Sequence, residues 1–142
     1  MHVNDSAVLL DDMNRMLAAQ EFLRPYGPEV TRMGRGEAEV VLPYRTSFDR
    51  PGGVVNGIVI MAAADVAMWV AIMTLRGLEE SWVTSHLNTA FLNPARAEAI
   101  ACTATVHKLG KRTCYGSAEC RGVANGQLVA HYTIAYARVT PR

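Results

Sequence analysis

Cysteine is scarce in this chain: Cys102, Cys114 and Cys120 are the only three in 142 residues. A disulfide-scaffold domain uses many cysteines in even number in a short secreted chain, so that class is excluded. If Cys114 and Cys120 share one extended strand, they stand about 20 Å apart, far beyond bridging reach. Histidine is equally sparse. Four scattered residues with no CxxC and no HxxxH leave no spacing suited to a zinc site. Net charge is nearly absent as well: 14 basic residues face 13 acidic ones, for a formal charge of +1. Without a basic excess to neutralise phosphates, a nucleic-acid partner is not expected. The opening Met1-His2-Val3-Asn4-Asp5 lacks the basic stretch and apolar core of a secretory signal, so a reduced, cytoplasmic protein is expected. Repeats, linkers and low-complexity tracts are also missing, which makes residues 1–142 one domain.

Hydrophobic residues make up 50% of the chain, enough for a real core. Much of that content lies in one run, Ile58 to Leu75, whose only charge is Asp65 and whose only other polar side chain is Thr74. Its length matches a membrane span. However, an Asp at a span's centre costs about 2.5–3.5 kcal/mol, alanine supplies much of the run, and no basic flank orients it. The run therefore reads as a buried helix of a soluble domain, with no membrane partner.

Around it the pattern is mixed. Asn4, Asp5 and Ser6 are capable N-caps, and Leu9, Met13, Met16, Leu17 and Gln20 follow at helical spacing, so a helix is expected over about 6–20, within an N-terminal segment 1–24. Pro25, Gly27 and Pro28 break it. From Val30 to Leu42 the chain reads as one half-buried strand, with Glu37, Glu39 and Val41 alternating against Ala38, Val40 and Leu42. Residues 46–57 read as a loop. Asn56 is an N-cap and Gly77 a C′ stop for a helix over 57–75. Strands follow over about 83–92, 99–109, 113–121 and 127–139, with turns at Gly110-Lys111-Arg112 and Asn125-Gly126. An apolar helix laid on one face of an antiparallel sheet is the α+β arrangement this order implies.

Asp65 is the residue that demands a role. An ionised carboxylate in an apolar helix must be paired, hydrogen-bonded or open to a cleft. Ile58, Trp69 and Ile72 share its side, so no solvated polar stripe accommodates it; the functional reading is a general base or nucleophile. Gly52-Gly53-Val54-Val55-Asn56-Gly57 leads into the same helix, whose free N–H groups at Gly57 and Ile58 suit a developing oxyanion. An ordinary glycine turn explains that approach equally well, and no Gly-Lys-Ser/Thr follows to make a phosphate loop. Thr84, His86 and Asn88 alternate along the next strand, either as its solvent face or as groups reaching a partner subunit's helix. Lys108, Gly110, Lys111 and Arg112 form a basic turn, either simply solvated or holding a phosphate-bearing tail. His2, His107 and His131 have no companions and no role.

The ordered set Asn56-Gly57, Asp65, Asn88-x-x-Phe91-Leu92-x-Pro94-Ala95 and Gly110-Lys111-Arg112 resembles the hotdog-fold acyl-CoA thioesterases, specifically the phenylacetate-pathway (PaaI-like) group. The resemblance implies an antiparallel sheet wrapped around a long central helix. It also implies homodimers or dimers of dimers with active sites between subunits. It gives Asp65 the water-activating or nucleophilic role and the Gly57 amide the carbonyl, beside Asn56. Thr84 from the other subunit steadies the water, and the turn at 108–112 holds coenzyme A, which is part of the substrate; no separate cofactor is implied. Ile58, Met68, Trp69, Arg50 and His86 are the remaining candidate substrate contacts, with Phe91 and Trp82 able to shape the acyl pocket. Two positions depart from the family pattern: Asn56-Gly57-Ile58 stands where His-Gly-Gly is usual, and Arg50 where Asn or Gln is common. The leading expectation is hydrolysis of a small or medium acyl-CoA, aliphatic or aromatic. The alternatives are a non-catalytic acyl-ligand binding module and, less favoured, a hydratase, which needs an Asp–His pair that is missing within ten residues of Asp65.

Overall fold

The computed structural model describes residues 6–140. In chain order they form α1 (Leu10–Ala18), β1 (Glu29–Gly34), β2 (Glu37–Leu42), β3 (Asp49–Arg50), β4 (Val54–Val55), α2 (Gly57–Arg76), β5 (Ser81–Phe91), β6 (Ile100–Leu109), β7 (Thr113–Gly122) and β8 (Leu128–Val139). Six strands make one sheet in the order β1-β2-β6-β7-β8-β5, every pairing antiparallel. The short β3 and β4 pair only with each other. Helix α2 lies across the sheet and packs on β1, β2, β5, β6, β7 and β8, the hotdog arrangement.

Alternation decides which strand face meets the helix. In β7, Cys114, Gly116, Ala118 and Cys120 are buried while Thr113, Tyr115, Glu119 and Arg121 are exposed. The buried set is small, and α2 answers with Ala63, Ala64, Ala67 and Ala71, so helix and sheet approach closely. At Gly116 an added Cβ would run into the Thr105 carbonyl oxygen and stand 2.5 Å from Met68 Cε. The hydrophobic window of α2, mean hydropathy 2.2, is 67% buried inside the fold, which accounts for its apolar composition without a bilayer. Thr74 is buried but satisfied: its hydroxyl donates to Ala71 C=O at 2.6 Å and accepts from the Gly36 N–H at 2.8 Å.

Several expectations change. The first helix spans Leu10–Ala18 rather than 6–20, and its N-cap is Leu9 without a side-chain bond. Ser6 instead closes a local turn on Val8, while Asn4 and Asp5 lie outside the described residues. The single strand over Val30–Leu42 is a hairpin, β1 and β2, turning at Gly36, whose φ of +77° suits glycine. Alternation across the second arm holds, with Ala38, Val40 and Leu42 buried.

The cysteines also differ. Cys102 on β6 and Cys120 on β7 are directly opposed, 4.1 Å apart at Cα, and joined by a disulfide. Cysteines along one strand stand too far apart to bridge; the β6–β7 register supplies the partner from the neighbouring strand. Cys114 is free and buried, and burial pushes its thiol up to about 11. Thiol titration in denaturant should therefore count one reactive cysteine without reductant and three with it. Three in both conditions would mean the pair is reduced in the purified protein.

Candidate active site

Helix α2 begins where its sequence says it should. Asn56 is extended (ψ 152°), its Oδ1 accepts from the Val59 N–H at 3.0 Å, and its Nδ2 donates to Phe48 C=O at 2.8 Å. Each end of that amide makes one bond, so the Asn56 side chain acts as a cap and loop tether, with its second N–H the donor left over. These bonds also fix the position of the next amide, that of Gly57. Gly57 occupies the first helical position under the Phe91 ring, which a Cβ there would approach to 2.9 Å. Arg50, Gly57, Ile60, Phe91 and Asn93 line a cavity of about 400 Å³ at this end of the helix. Ile58 is 71% exposed beside it.

Asp65, two turns on, is only half-buried. Thr84 donates to its Oδ1 at 2.6 Å, and Tyr136 donates to the same oxygen at 2.7 Å while lying 2.8 Å from the Asp65 carbonyl. Asp65, Thr84, Tyr136, Trp69, Trp82 and Phe22 line a second cavity of about 390 Å³. Phe22, from the turn after α1, leans on Trp69 with ring centroids 6.3 Å apart. Burial pushes the Tyr136 phenol far above its ordinary range, and the Asp65 carboxylate beside it pushes the same way. It is a neutral donor at any working pH.

A bulge between Thr84 and His86 rearranges the expected polar face of β5. Thr84 pairs with Tyr136, which is buried on the helix side, whereas His86 pairs with Ala135 and Asn88 with Thr133, one residue out of phase. Thr84 therefore turns inward to Asp65 of its own chain, and His86 and Asn88 stay on the outer face, away from the carboxylate. This corrects the shared face, and it gives Thr84 a contact within its own chain that the resemblance did not imply. Met68 is corrected too: it is fully buried against Gly116 of β7 and does not line the Asp65 cleft. Ile72 is likewise fully buried, so the accessible line along the helix is Ile58, Met61, Ala62, Asp65 and Trp69.

The basic turn sits near the far end of α2. Arg76 donates to Gly110 C=O and to Glu80 at 3.0 Å, and its guanidinium lies 5.6 Å from the Trp82 ring centre. Burial would raise the Glu80 carboxyl, but the Trp82 N–H and the charges of Arg76 and Arg138 outweigh it and hold the group below the usual carboxylate range. The turn is thus tied to a wall of the Asp65 cavity. Lys111 and Arg112 are exposed, and Lys108, Lys111 and Arg112 form no ion pair among the described residues. The same residues contain no group of three metal-ligating side chains.

Tyr136 and Phe22 escaped the sequence reading. The signal for Tyr136 was present: alternation along β8 puts Tyr132, Ile134 and Tyr136 on the buried face, and a buried phenol needs a hydrogen-bond partner. Tyr132 has none among the described residues. Which acceptor a buried tyrosine finds is not a local property of the strand.

The sequence profile of the thioesterase superfamily matches residues 52–127, the stretch from the glycine approach through α2 to the last hairpin. A protein of Sulfurisphaera tokodaii described as a candidate esterase is 30% identical over 110 residues, covering 77% of this chain and 81% of its own. A similarly described protein of Thermoplasma acidophilum is 29% identical over 105 residues, 74% of this chain and 79% of its own. Among solved structures, a Haemophilus influenzae thioesterase superposes with a TM-score of 0.82 at 20% identity, covering 96% of this chain and 94% of that one. The PaaI protein of the E. coli phenylacetic acid degradation operon gives 0.79 at 20% identity over 89% of both chains, a likeness of fold. With its hotdog fold, and with the profile spanning the helix that carries Gly57 and Asp65, the chain belongs to the thioesterase superfamily.

Proposed function

We propose that the chain is an acyl-CoA thioesterase acting as a homodimer or dimer of dimers in the cytoplasm, on a small or medium acyl group. Asp65 takes a proton from water as the water oxygen attacks the thioester carbon. The Gly57 amide of the other subunit receives the negative charge that develops on the carbonyl oxygen. Collapse breaks the C–S bond, the proton passes to the departing sulfur, and a carboxylic acid and coenzyme A leave. The single observation that carries this reading is a carboxylate in an apolar helix, anchored by two hydroxyls and facing an aromatic-walled cleft.

Helix geometry supports the second subunit. Gly57 and Asp65 are eight residues apart, about 12 Å along the axis, and line different cavities. A carbonyl oxygen on the Gly57 N–H and an attacking water on Asp65 stand closer together than that separation, which supports drawing the two groups from different chains. The accessible line beside Asp65 is apolar, with Ile58 71% and, on the outer strand β5, Val83 48% exposed. Strand β5 also leaves one side unpaired in the six-stranded sheet. These are surfaces a second copy would cover. Lys108, Lys111 and Arg112 are then the groups for the coenzyme A phosphates, Trp69 and Trp82 the walls of the acyl site, and Arg50 a donor at the Gly57 cavity.

The test separates the two halves of the site. Gly57→Pro deletes the N–H at a helix position that accepts proline, after a residue already extended, and Gly57→Ala, which keeps the N–H while bringing the same Cβ against the Phe91 ring, is its control. Gly57→Pro and Asp65→Asn should each be inactive on a panel of acyl-CoAs. Co-expressed, they should recover about a quarter of the wild-type activity, because half the dimers are mixed and each mixed dimer has one intact site. No recovery, from proteins that demonstrably mix, would overturn the shared site.

A further inference from the structure

We propose that Tyr136 is the positioning residue of this site, and that Asp65 Oδ2 is the oxygen that accepts the proton from water. The inference rests on the thioesterase reading and sharpens it to one atom. A free carboxylate on a helix presents two equivalent oxygens and rotates between them. Here Oδ1 receives two hydroxyl donors, at 2.6 Å from Thr84 and 2.7 Å from Tyr136, while Oδ2 has no hydrogen-bond partner among the described residues. The lone pairs of Oδ1 are thereby occupied. The oxygen left to meet a water in the cleft is Oδ2.

Three features make Tyr136 the fixed member of this arrangement. Its phenol is 4% exposed and walled by the core, so it cannot leave for solvent. It lies within hydrogen-bond distance of both the side chain and the backbone carbonyl of Asp65, which ties the carboxylate to its own helix turn. And it pairs directly with Thr84 across β5 and β8, immediately before the bulge, so the sheet register sets the spacing of the two donors. Thr84, by contrast, is exposed and on an outer strand. Burial keeps Tyr136 protonated, so it serves as donor only and takes no part in proton transfer.

The experiment uses full-length protein and the best acyl-CoA substrate of the panel. Tyr136→Phe keeps the ring and deletes the hydroxyl; it should lower kcat about ten- to a hundredfold, as expected for a reacting group no longer held in line, with KM within about twofold. In an Asp65→Asn background the same change should have no further effect on residual hydrolysis. A kcat equal to wild type, or an equal loss in both backgrounds, overturns the positioning role. If Asp65→Asn itself retains full activity, the base assignment fails instead, a different result. Should Tyr136→Phe not fold by far-UV circular dichroism, Thr84 gives the second reading of Oδ1: Thr84→Val should lose kcat and Thr84→Ser, which restores the hydroxyl, should recover it. Equal rates for valine and serine would show that donors on Oδ1 do not matter.

Discussion

Asp65→Asn should lower kcat/KM for acyl-CoA hydrolysis by about 10²–10⁴, the range for loss of a general base and equivalent to roughly 2.7–5.4 kcal/mol of transition-state stabilisation. The substitution is close to isosteric. The asparagine carbonyl can still accept from Thr84 and Tyr136 at the Oδ1 position, so the anchoring bonds survive. What changes is the other atom: an NH₂ stands where a proton acceptor stood. Folding should therefore be little altered, and affinity for a non-hydrolysable acyl-CoA thioether should stay within about threefold, because the apolar walls of the cleft are untouched. Stopped hydrolysis with intact binding identifies Asp65 as acting on the transition state. Lost binding together with lost turnover would make it a substrate anchor, and unchanged turnover would remove it from the mechanism.

Gly116→Ala should give the largest loss of stability for the smallest added volume. Its Cβ would enter the space between β7 and α2, against the Thr105 carbonyl oxygen and 2.5 Å from Met68 Cε. A flexible thioether can rotate away, but a carbonyl in the β6–β7 ladder cannot move without breaking the pairing around it. Overpacking of this kind costs about 1–3 kcal/mol, seen as a drop of several degrees in Tm at matched protein concentration. Adding Met68→Ala should not rescue it. That second change removes one obstacle, leaves the carbonyl, and opens a cavity that itself costs about 2–5 kcal/mol. A double variant as stable as wild type would show that Met68 was the whole obstacle and that the sheet tolerates a side chain at 116. The consequence for function is direct, since the close approach of α2 to the sheet brings Asp65 within reach of Tyr136.

The elements with strong local signals were legible. Asn56 and Gly77 mark the ends of α2 because a cap and a left-handed stop depend on residues within one turn. The alternation of β2 was visible because side-chain direction reverses at each residue, and β6, β7 and β8 fell within a residue of the expected strand ranges. Legibility failed where one irregular residue mattered. The turn at Gly36 divided a run whose arms alternate, and the bulge after Thr84 moved His86 to the other face. Met68 illustrates a further limit: along an all-apolar helix, composition does not say which face meets the sheet.

By itself the sequence determined the α+β order, the central helix and the places of Gly57 at its start and Asp65 within it, the two groups to which the proposed reaction is assigned. The elements follow from composition, periodicity and capping, all of which act over a few neighbouring residues, whereas the roles of Gly57 and Asp65 are what the family resemblance implies. Only the tertiary structure decided what surrounds Asp65. Tyr136 lies 71 residues further along and reaches it through the register of β5 on β8. In the same way the β6–β7 register, not spacing along one strand, set Cys120 opposite Cys102. Such pairings are fixed by how whole strands align over a shared core, and a single extra residue in one strand redirects every side chain beyond it.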